Sequence, residues 1–144
     1  VRQVFGENTA AQMLQALKTV VSAEGTAPKA ALEHYSVAGK TGTAQKVGNG
    51  TYTHGKYISS FVGFFPADNP ELCISIVMDE PKVDGYYGGI AAAPVFKQVA
   101  EKAANYLNIR PDLKDFEPTV SETVTAEAGR RPLKTVSART LENQ

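Results

Sequence analysis

A lysine, a glycine and two threonines stand together in the segment Lys40-Thr41-Gly42-Thr43. On a regular β-strand, Lys40 and Gly42 point to one side and Thr41 and Thr43 to the other. The lysine places positive charge over a pocket, and hydroxyls beside it can hold a carboxylate through charge-assisted hydrogen bonds. Gly42 would let a substrate backbone come close, and the N–H of Thr43 could form half of an oxyanion hole. The tetrapeptide therefore fits the wall of a carboxylate-binding site.

Two other interpretations of this segment stay open. A bare K-T-G is short, and an ordinary surface strand can carry it. Gly39-Lys40-Thr41 also matches the end of a phosphate-binding P-loop, but that loop needs a glycine where this chain has His34. Since residues 42–45 do not open a helix either, the pattern disfavours a phosphate site.

Two helices are predicted on either side of this segment. Asn8 and Thr9 are capping residue types that would begin the first helix, and Pro28 follows its expected end near residues 22–24. Pro94 suits the first turn of the second helix. The predicted apolar faces consist of Met13, Leu14, Leu17, Val20 and Val21 in the first helix, and of Val95, Phe96, Val99, Ala103 and Leu107 in the second.

Three strands are predicted between the helices, over residues 35–45, 57–65 and 72–78. Gly48-Asn49-Gly50 and residues 66–70 are turn signals between them. Phe61 and Phe65 share one face of the second strand, and the third strand is apolar on both faces apart from Ser75, as is typical of an interior strand. The sequence therefore predicts an α+β fold with an antiparallel three-strand meander flanked by an N-terminal and a C-terminal helix.

Composition narrows the function classes. Lys and Arg together number 15, as do Asp and Glu, so the zero net charge does not favour nucleic acid as a partner. Cys73 is the single cysteine, which excludes an internal disulfide and a multi-cysteine metal site. We expect Cys73 to be a buried core residue, His54 to lie on the surface in the turn between two strands, and no metal or cofactor to bind.

Five segments stand in order along the chain: Gly25-Thr26-Ala27, residues 38–45, residues 60–66, Gly88-Gly89 and residues 92–96. Together they resemble the end of the transpeptidase domain of class B penicillin-binding proteins, and residues 79–82 and 86–89 are most similar to the division-type branch. The resemblance covers about residues 5–112, and a polar tail over 113–144 is expected to be disordered or loosely attached.

The resemblance implies a serine peptidoglycan D,D-transpeptidase that cross-links stem peptides through an acyl-enzyme and also binds β-lactams. It assigns Lys40 and Thr43 to catalysis, and Thr41, Gly42 and Thr43 to substrate binding, with no cofactor and no metal. The family motifs S-x-x-K and S-x-N do not occur in this sequence. We therefore expect the isolated chain to be inactive. The alternative function is a non-catalytic penicillin-sensing or interaction domain that kept the fold.

Further expectations concern the whole protein. The chain starts without a methionine and shows neither a signal peptide nor a membrane span, so we interpret it as a piece of a longer protein. The resemblance implies a membrane-anchored parent at the extracytoplasmic face of the bacterial cytoplasmic membrane, with cell-division proteins among its partners. It also implies a five-stranded sheet with two strands from an earlier part of the domain. The chain should therefore associate with the remaining domain or self-associate.

Tyr86 and Tyr87 either line the mouth of the cleft or pack under their loop.

Overall fold

The computed structural model describes residues 2–82 and 85–113. It contains two α-helices, one short 3-10 helix and three strands. In chain order these are α1 (Glu7–Thr19), the 3-10 helix (Pro28–Ala30), β1 (Ala38–Gly48), β2 (Thr51–Phe65), β3 (Leu72–Asp79) and α2 (Gly88–Leu107). Apart from Leu113, the predicted tail lies outside the described residues. Neither described helix is long and apolar enough to cross a membrane.

The three strands form an antiparallel sheet in the order β1-β2-β3, which confirms the predicted meander and the α+β class. Asn49 and Gly50 form the β1–β2 turn with φ values of 51° and 79°. Both values are left-handed, as a two-residue hairpin requires, and an Asn-Gly pair tolerates them well. Because β2 begins at Thr51, His54 lies inside this strand and not in the turn, so its expected position was wrong, although it is exposed as expected.

One face of the sheet packs against α2. Phe61, Phe65 and Phe96 are fully buried there, and the rings of Phe61 and Phe96 meet edge to face with centroids 4.8 Å apart. Such aromatic pairs contribute beyond the area that they bury. The rest of the helix surface in this core is formed by small residues, namely Ala92, Ala93, Ala100 and Ala104.

The predicted apolar face of α2 was therefore largely wrong. Only Phe96 belongs to both faces, whereas Val99 is 41% exposed and Leu107 is 52% exposed. Alanines replace the larger residues because they allow the helix backbone to lie close to the sheet. The helix also begins at Gly88, so Pro94 lies inside it and not in its first turn.

The opposite face of the sheet is open in the described part of the chain. Val62 is 43% exposed and Val77 is 65% exposed, and Cys73 is exposed as well. The expectations of a buried Cys73 and of an interior third strand were therefore wrong for this chain. β3 lies at an edge of the sheet, and its burial alternates residue by residue.

Helix α1 lies at the periphery and contains no fully buried residue. Gly6 occupies its N-cap position and makes no side-chain cap, so the predicted caps Asn8 and Thr9 lie within the helix. The helix ends at Thr19, earlier than predicted, and Met13 of its apolar face is 53% exposed. The ion pair between Lys18 and Asp68, at 2.6 Å, ties the end of the helix to the β2–β3 turn.

Candidate active site

Lys40 lies near the start of β1, an edge strand of the described sheet, and is exposed. It pairs with Val62 and therefore shares the open face, while Thr41 pairs with Phe61 on the face of α2. The Lys40 Nζ donates to the carbonyl oxygen of Thr41 at 2.9 Å and lies 3.4 Å from its Oγ1. Within residues 2–82 and 85–113 no carboxylate pairs with Lys40. Its charge is therefore available to an anion.

Thr43 connects β1 to the N-terminus of α2. Its Oγ1 accepts a hydrogen bond from the backbone N–H of Gly88 at 3.1 Å. The N-cap residue Tyr87 makes no side-chain cap, so Thr43 satisfies a helix N–H that would otherwise lack a partner. A hydroxyl that accepts one hydrogen bond still has its own proton to donate, and the positive end of the helix dipole favours an anion nearby.

Gly88 allows this connection because it has no side chain. A Cβ at this position would lie 2.6 Å from the carbonyl oxygen of Gly42 and 3.2 Å from its nitrogen. These are backbone atoms of β1, so they cannot move away as a flexible side chain could. Sequence reasoning gave Gly88 no role, although the Gly-Gly dipeptide was among the segments that carried the resemblance.

A second hydroxyl contact reaches Thr41 from outside the sheet. Thr26 Oγ1 lies 3.2 Å from Thr41 Oγ1, and Thr26 is exposed. Sequence reasoning used Gly25-Thr26-Ala27 only as part of the resemblance, because 14 residues separate Thr26 from Thr41 and no periodicity links them.

Three tyrosines lie beside the Thr43 end of this segment. The rings of Tyr57 and Tyr86 stack at 4.0 Å between centroids, and those of Tyr86 and Tyr87 lie 4.5 Å apart. The buried Ser59 hydroxyl donates to the carbonyl oxygen of Tyr86 and holds the loop against β2. Tyr87 is 56% exposed, and the hydrogen bond between the two hydroxyls raises its pKa. Tyr86 thus stacks on Tyr57 of β2 while remaining 36% exposed, and Tyr87 is more exposed.

A charged cluster fixes the connection that follows β3. Lys46 Nζ lies 2.9 Å from an Asp79 oxygen and 2.8 Å from a Glu80 oxygen, and Lys56 lies 3.6 Å from Glu80. The hydrogen bond to Asp79, followed by that to Glu80, raises the pKa of Lys46. The hydrogen bond from Lys46 lowers the pKa of Glu80. Lys46 and Glu80 are half-buried, and Asp79 and Lys56 are exposed. Because water and salt still reach these charges, the ion pairs contribute little to stability and depend on salt.

Two cavities of about 600 and 250 Å³ lie away from residues 40–43. The larger one separates the segment at Leu32–Tyr35 from the end of α2, and the smaller one lies between α1 and Ser36. The described residues bring no three His, Cys, Asp or Glu side chains together as a metal site. Neither of these cavities is lined by residues 40–43.

Comparison with known proteins identifies the family of this chain. The family model of the penicillin-binding protein transpeptidase domain matches residues 1–101. The probable peptidoglycan D,D-transpeptidase PenA of Neisseria flavescens is 39% identical over 110 residues, which are 76% of this chain and 28% of that protein. The chain therefore spans less than a third of this relative.

Solved structures give the same result. The apo transpeptidase domain of penicillin-binding protein 3 from Burkholderia pseudomallei superposes with a TM-score of 0.71 at 39% identity, over 78% of this chain and 34% of that one. Penicillin-binding protein 3 of Mycobacterium tuberculosis, complexed with ampicillin, superposes with a TM-score of 0.62 at 31% identity, over 77% and 26% of the two chains. The chain belongs to the penicillin-binding protein transpeptidase family and forms part of such a domain.

Proposed function

We propose that this chain supplies the Lys40–Thr43 wall of a serine D,D-transpeptidase site whose nucleophile comes from the remainder of the domain. The observation that carries the proposal is the position of Lys40, a cation with no carboxylate partner in the described residues, on an edge strand with its Nζ 3.4 Å from the Thr41 hydroxyl. A cation and hydroxyl donors on one strand match the carboxylate that ends a peptidoglycan stem peptide.

Each residue of the wall has a separate task in this proposal. The Lys40 ammonium adds positive charge and donates a hydrogen bond toward the serine of the family's second motif. Thr41 and Thr43 hold the terminal carboxylate, and the N–H of Thr43 is one of two oxyanion donors. Gly42 has no side chain that would block the substrate, so an extended peptide can lie along the edge of β1.

The reaction proceeds in two steps. The serine attacks the carbonyl carbon of the penultimate D-alanine, and the terminal D-alanine leaves with the proton that the serine gave up. An amine of a neighbouring peptidoglycan strand then attacks the ester, and the serine recovers a proton from that amine. Splitting one difficult transfer into two is the advantage of covalent catalysis. A β-lactam would acylate the same serine, and the ampicillin complex of the Mycobacterium tuberculosis protein supports this part of the proposal.

The open face of the sheet supports the proposal that this chain and the remainder of the domain form the site together. We expect that remainder to cover Val62 and Val77 and to pair with the edge of β3. Without it, the chain should self-associate through the same surfaces. Sedimentation of the isolated chain checks this, and a compact, stable monomer would contradict it.

The proposed parent is anchored in the bacterial cytoplasmic membrane, acts at its outer face and works with cell-division proteins. A named relative, the peptidoglycan D,D-transpeptidase FtsI of Buchnera aphidicola, is 40% identical over 111 residues and is consistent with that setting. Localisation of the complete protein in dividing cells tests it, since even distribution around the cell would contradict a division role.

Fluorescent penicillin tests the proposed activity. A protein that carries this chain together with the remainder of a transpeptidase domain should be labelled covalently, and the isolated chain should not be. An intact-mass increase equal to one penicillin locates the label on the complete protein. A complete protein that binds penicillin without covalent labelling would favour the non-catalytic sensing function, and labelling of the isolated chain would refute the division of the site.

A further inference from the structure

The hydroxyl of Thr26 has no task in the site described so far, although it touches that site directly. Thr26 lies in the segment after α1, and its Oγ1 is 3.2 Å from the Oγ1 of Thr41. Both residues are accessible, Thr26 being exposed and Thr41 half-buried. A threonine on a surface segment usually bonds water, so this contact with a site residue is informative.

The backbone holds Thr26 firmly in this position. The N–H of Ala27 donates to the carbonyl oxygen of Val20 at 2.8 Å, and Ala27 is fully buried. On the other side, Gly89 of α2 lies so close that a Cβ there would overlap the carbonyl oxygen of Thr26. The backbone of the segment is therefore held between the end of α1 and the start of α2, in a position from which the Thr26 hydroxyl reaches Thr41.

The hydrogen bonds that the Thr41 hydroxyl can form determine what Thr26 can do there. An ammonium only donates, so Lys40 Nζ, 3.4 Å away, can only act as a donor to Thr41 Oγ1. A hydroxyl oxygen accepts two hydrogen bonds and donates one. If Thr26 donates the second bond, both acceptor positions of Thr41 are filled. The Thr41 proton must then point to a third group.

We propose that Thr26 is a positioning residue for carboxylate binding: it donates to Thr41 and thereby directs the Thr41 proton toward the carboxylate of a bound peptide or β-lactam. This inference rests on the proposed function of the Lys40–Thr43 wall. Thr26 makes no contact with the ligand in it and acts only through Thr41. Its effect must therefore depend on the ligand's carboxylate and on the Thr41 hydroxyl.

The test compares Thr26→Val, which keeps the shape and removes the hydroxyl, with Thr26→Ser, which keeps the hydroxyl, in the complete transpeptidase. The second-order rate constant of acylation by a penicillin with a free carboxylate should fall about tenfold in Thr26→Val, as expected when a hydrogen bond to a charged group is weakened. Thr26→Ser should restore it. The methyl ester of the same penicillin should react equally with all variants.

Two further variants separate positioning from a general structural effect. Thr19→Val removes a hydroxyl that bonds only its own helix, at the carbonyl oxygen of Ala16, and should acylate normally. In a Thr41→Val background, Thr26→Val should cause no additional loss, because residues that act as one unit are not additive. Thr26→Ala serves in the same comparisons if the valine variant unfolds in thermal melts.

Normal acylation of Thr26→Val and Thr26→Ala by the free acid would overturn the inference, and so would an equal loss with the ester. Either result leaves the proposed function intact if the unmodified protein is acylated. Failure of the unmodified protein to be acylated by any penicillin would instead overturn the proposed function and this inference with it.

Discussion

The two faces of the three-stranded sheet differ in how completely they are packed. On the face of α2, Phe61 and Phe65 are fully buried against Phe96. On the opposite face, Val62 is 43% exposed and Val77 is 65% exposed. Both faces carry apolar side chains, so hydrophobicity alone does not explain the difference. One face has its packing partner within the described chain, and the other does not.

The difference bears on the position of the candidate site. Lys40 stands on the open face and Thr41 on the packed one, so the candidate site lies where the two meet at the edge of β1. In the proposed function, the packed face would fix the position of the Lys40–Thr43 segment, and the open face would leave room for the remainder of the domain. Substitutions on the two faces should therefore have different consequences.

The largest effect is expected in the packed core. Phe96→Ala should lower the free energy of unfolding by about 3–5 kcal/mol, because it removes a buried ring and leaves a cavity. Val77→Ala on the open face should change it by about 0.5 kcal/mol or less. Urea unfolding of the isolated chain, followed by circular dichroism at dilutions below its self-association, measures both values. Similar losses of unfolding free energy at the two positions would contradict the claim that only the face of α2 is packed.

The next effect concerns the edge between the faces. Lys40→Ala in the complete enzyme should raise the barrier to penicillin acylation by about 2–4 kcal/mol, the range seen when a preorganised donor is removed. Stopped-flow acylation kinetics measure this change. Lys97→Ala is the matched control, since Lys97 forms an ion pair with Glu101 on α2. An unchanged acylation rate in Lys40→Ala would refute the role of this lysine.

Gly88→Ala should have a smaller effect that begins on the packed face and reaches the site. The added Cβ would lie 2.6 Å from the Gly42 carbonyl oxygen, so the start of α2 must move away from Thr43. We expect a loss of about 1–3 kcal/mol in stability, as for other overpacked positions, together with slower acylation. Gly6→Ala is the control, because nothing lies within 4 Å of the position where its Cβ would stand. Equal melting temperatures and acylation rates in both variants would contradict this account.

The smallest effect is a pH dependence from the charged cluster around Lys46. Glu80 has a lowered pKa, so its contribution is present above the ordinary value of 4.5 and disappears as the pH falls through the lowered one. Lys46 has a raised pKa, so its contribution is present below the ordinary value of 10.5 and disappears as the pH rises through the raised one. Thermal melts should show that Lys46→Gln reduces the loss of stability at both low and high pH, while Lys97→Gln does not. An identical pH profile in Lys46→Gln would show that the cluster contributes nothing.

The sequence predicted the α+β class, the meander and the segment that carries Lys40, because alternation and turn residues are local signals. It misplaced the buried face of α2, since the alanines that pack there have weak apolar signals beside Val99 and Leu107. The apolar composition of β3 suggested an interior strand. In the described residues β3 is an edge strand, because no further strand pairs with it. The contacts of Thr26 with Thr41 and of Gly88 with Thr43 were missed, because each joins residues that only the tertiary fold brings together.

A crystal structure of the complete transpeptidase acylated by a penicillin tests the central claim most directly. The account predicts the drug carboxylate within about 2.5–3.2 Å of the hydroxyl oxygens of Thr41 and Thr43. The acyl carbonyl oxygen should lie at the same distance from the N–H of Thr43. A carboxylate bound elsewhere, with Lys40–Thr43 facing solvent, would contradict the assignment of this strand as the wall of the site.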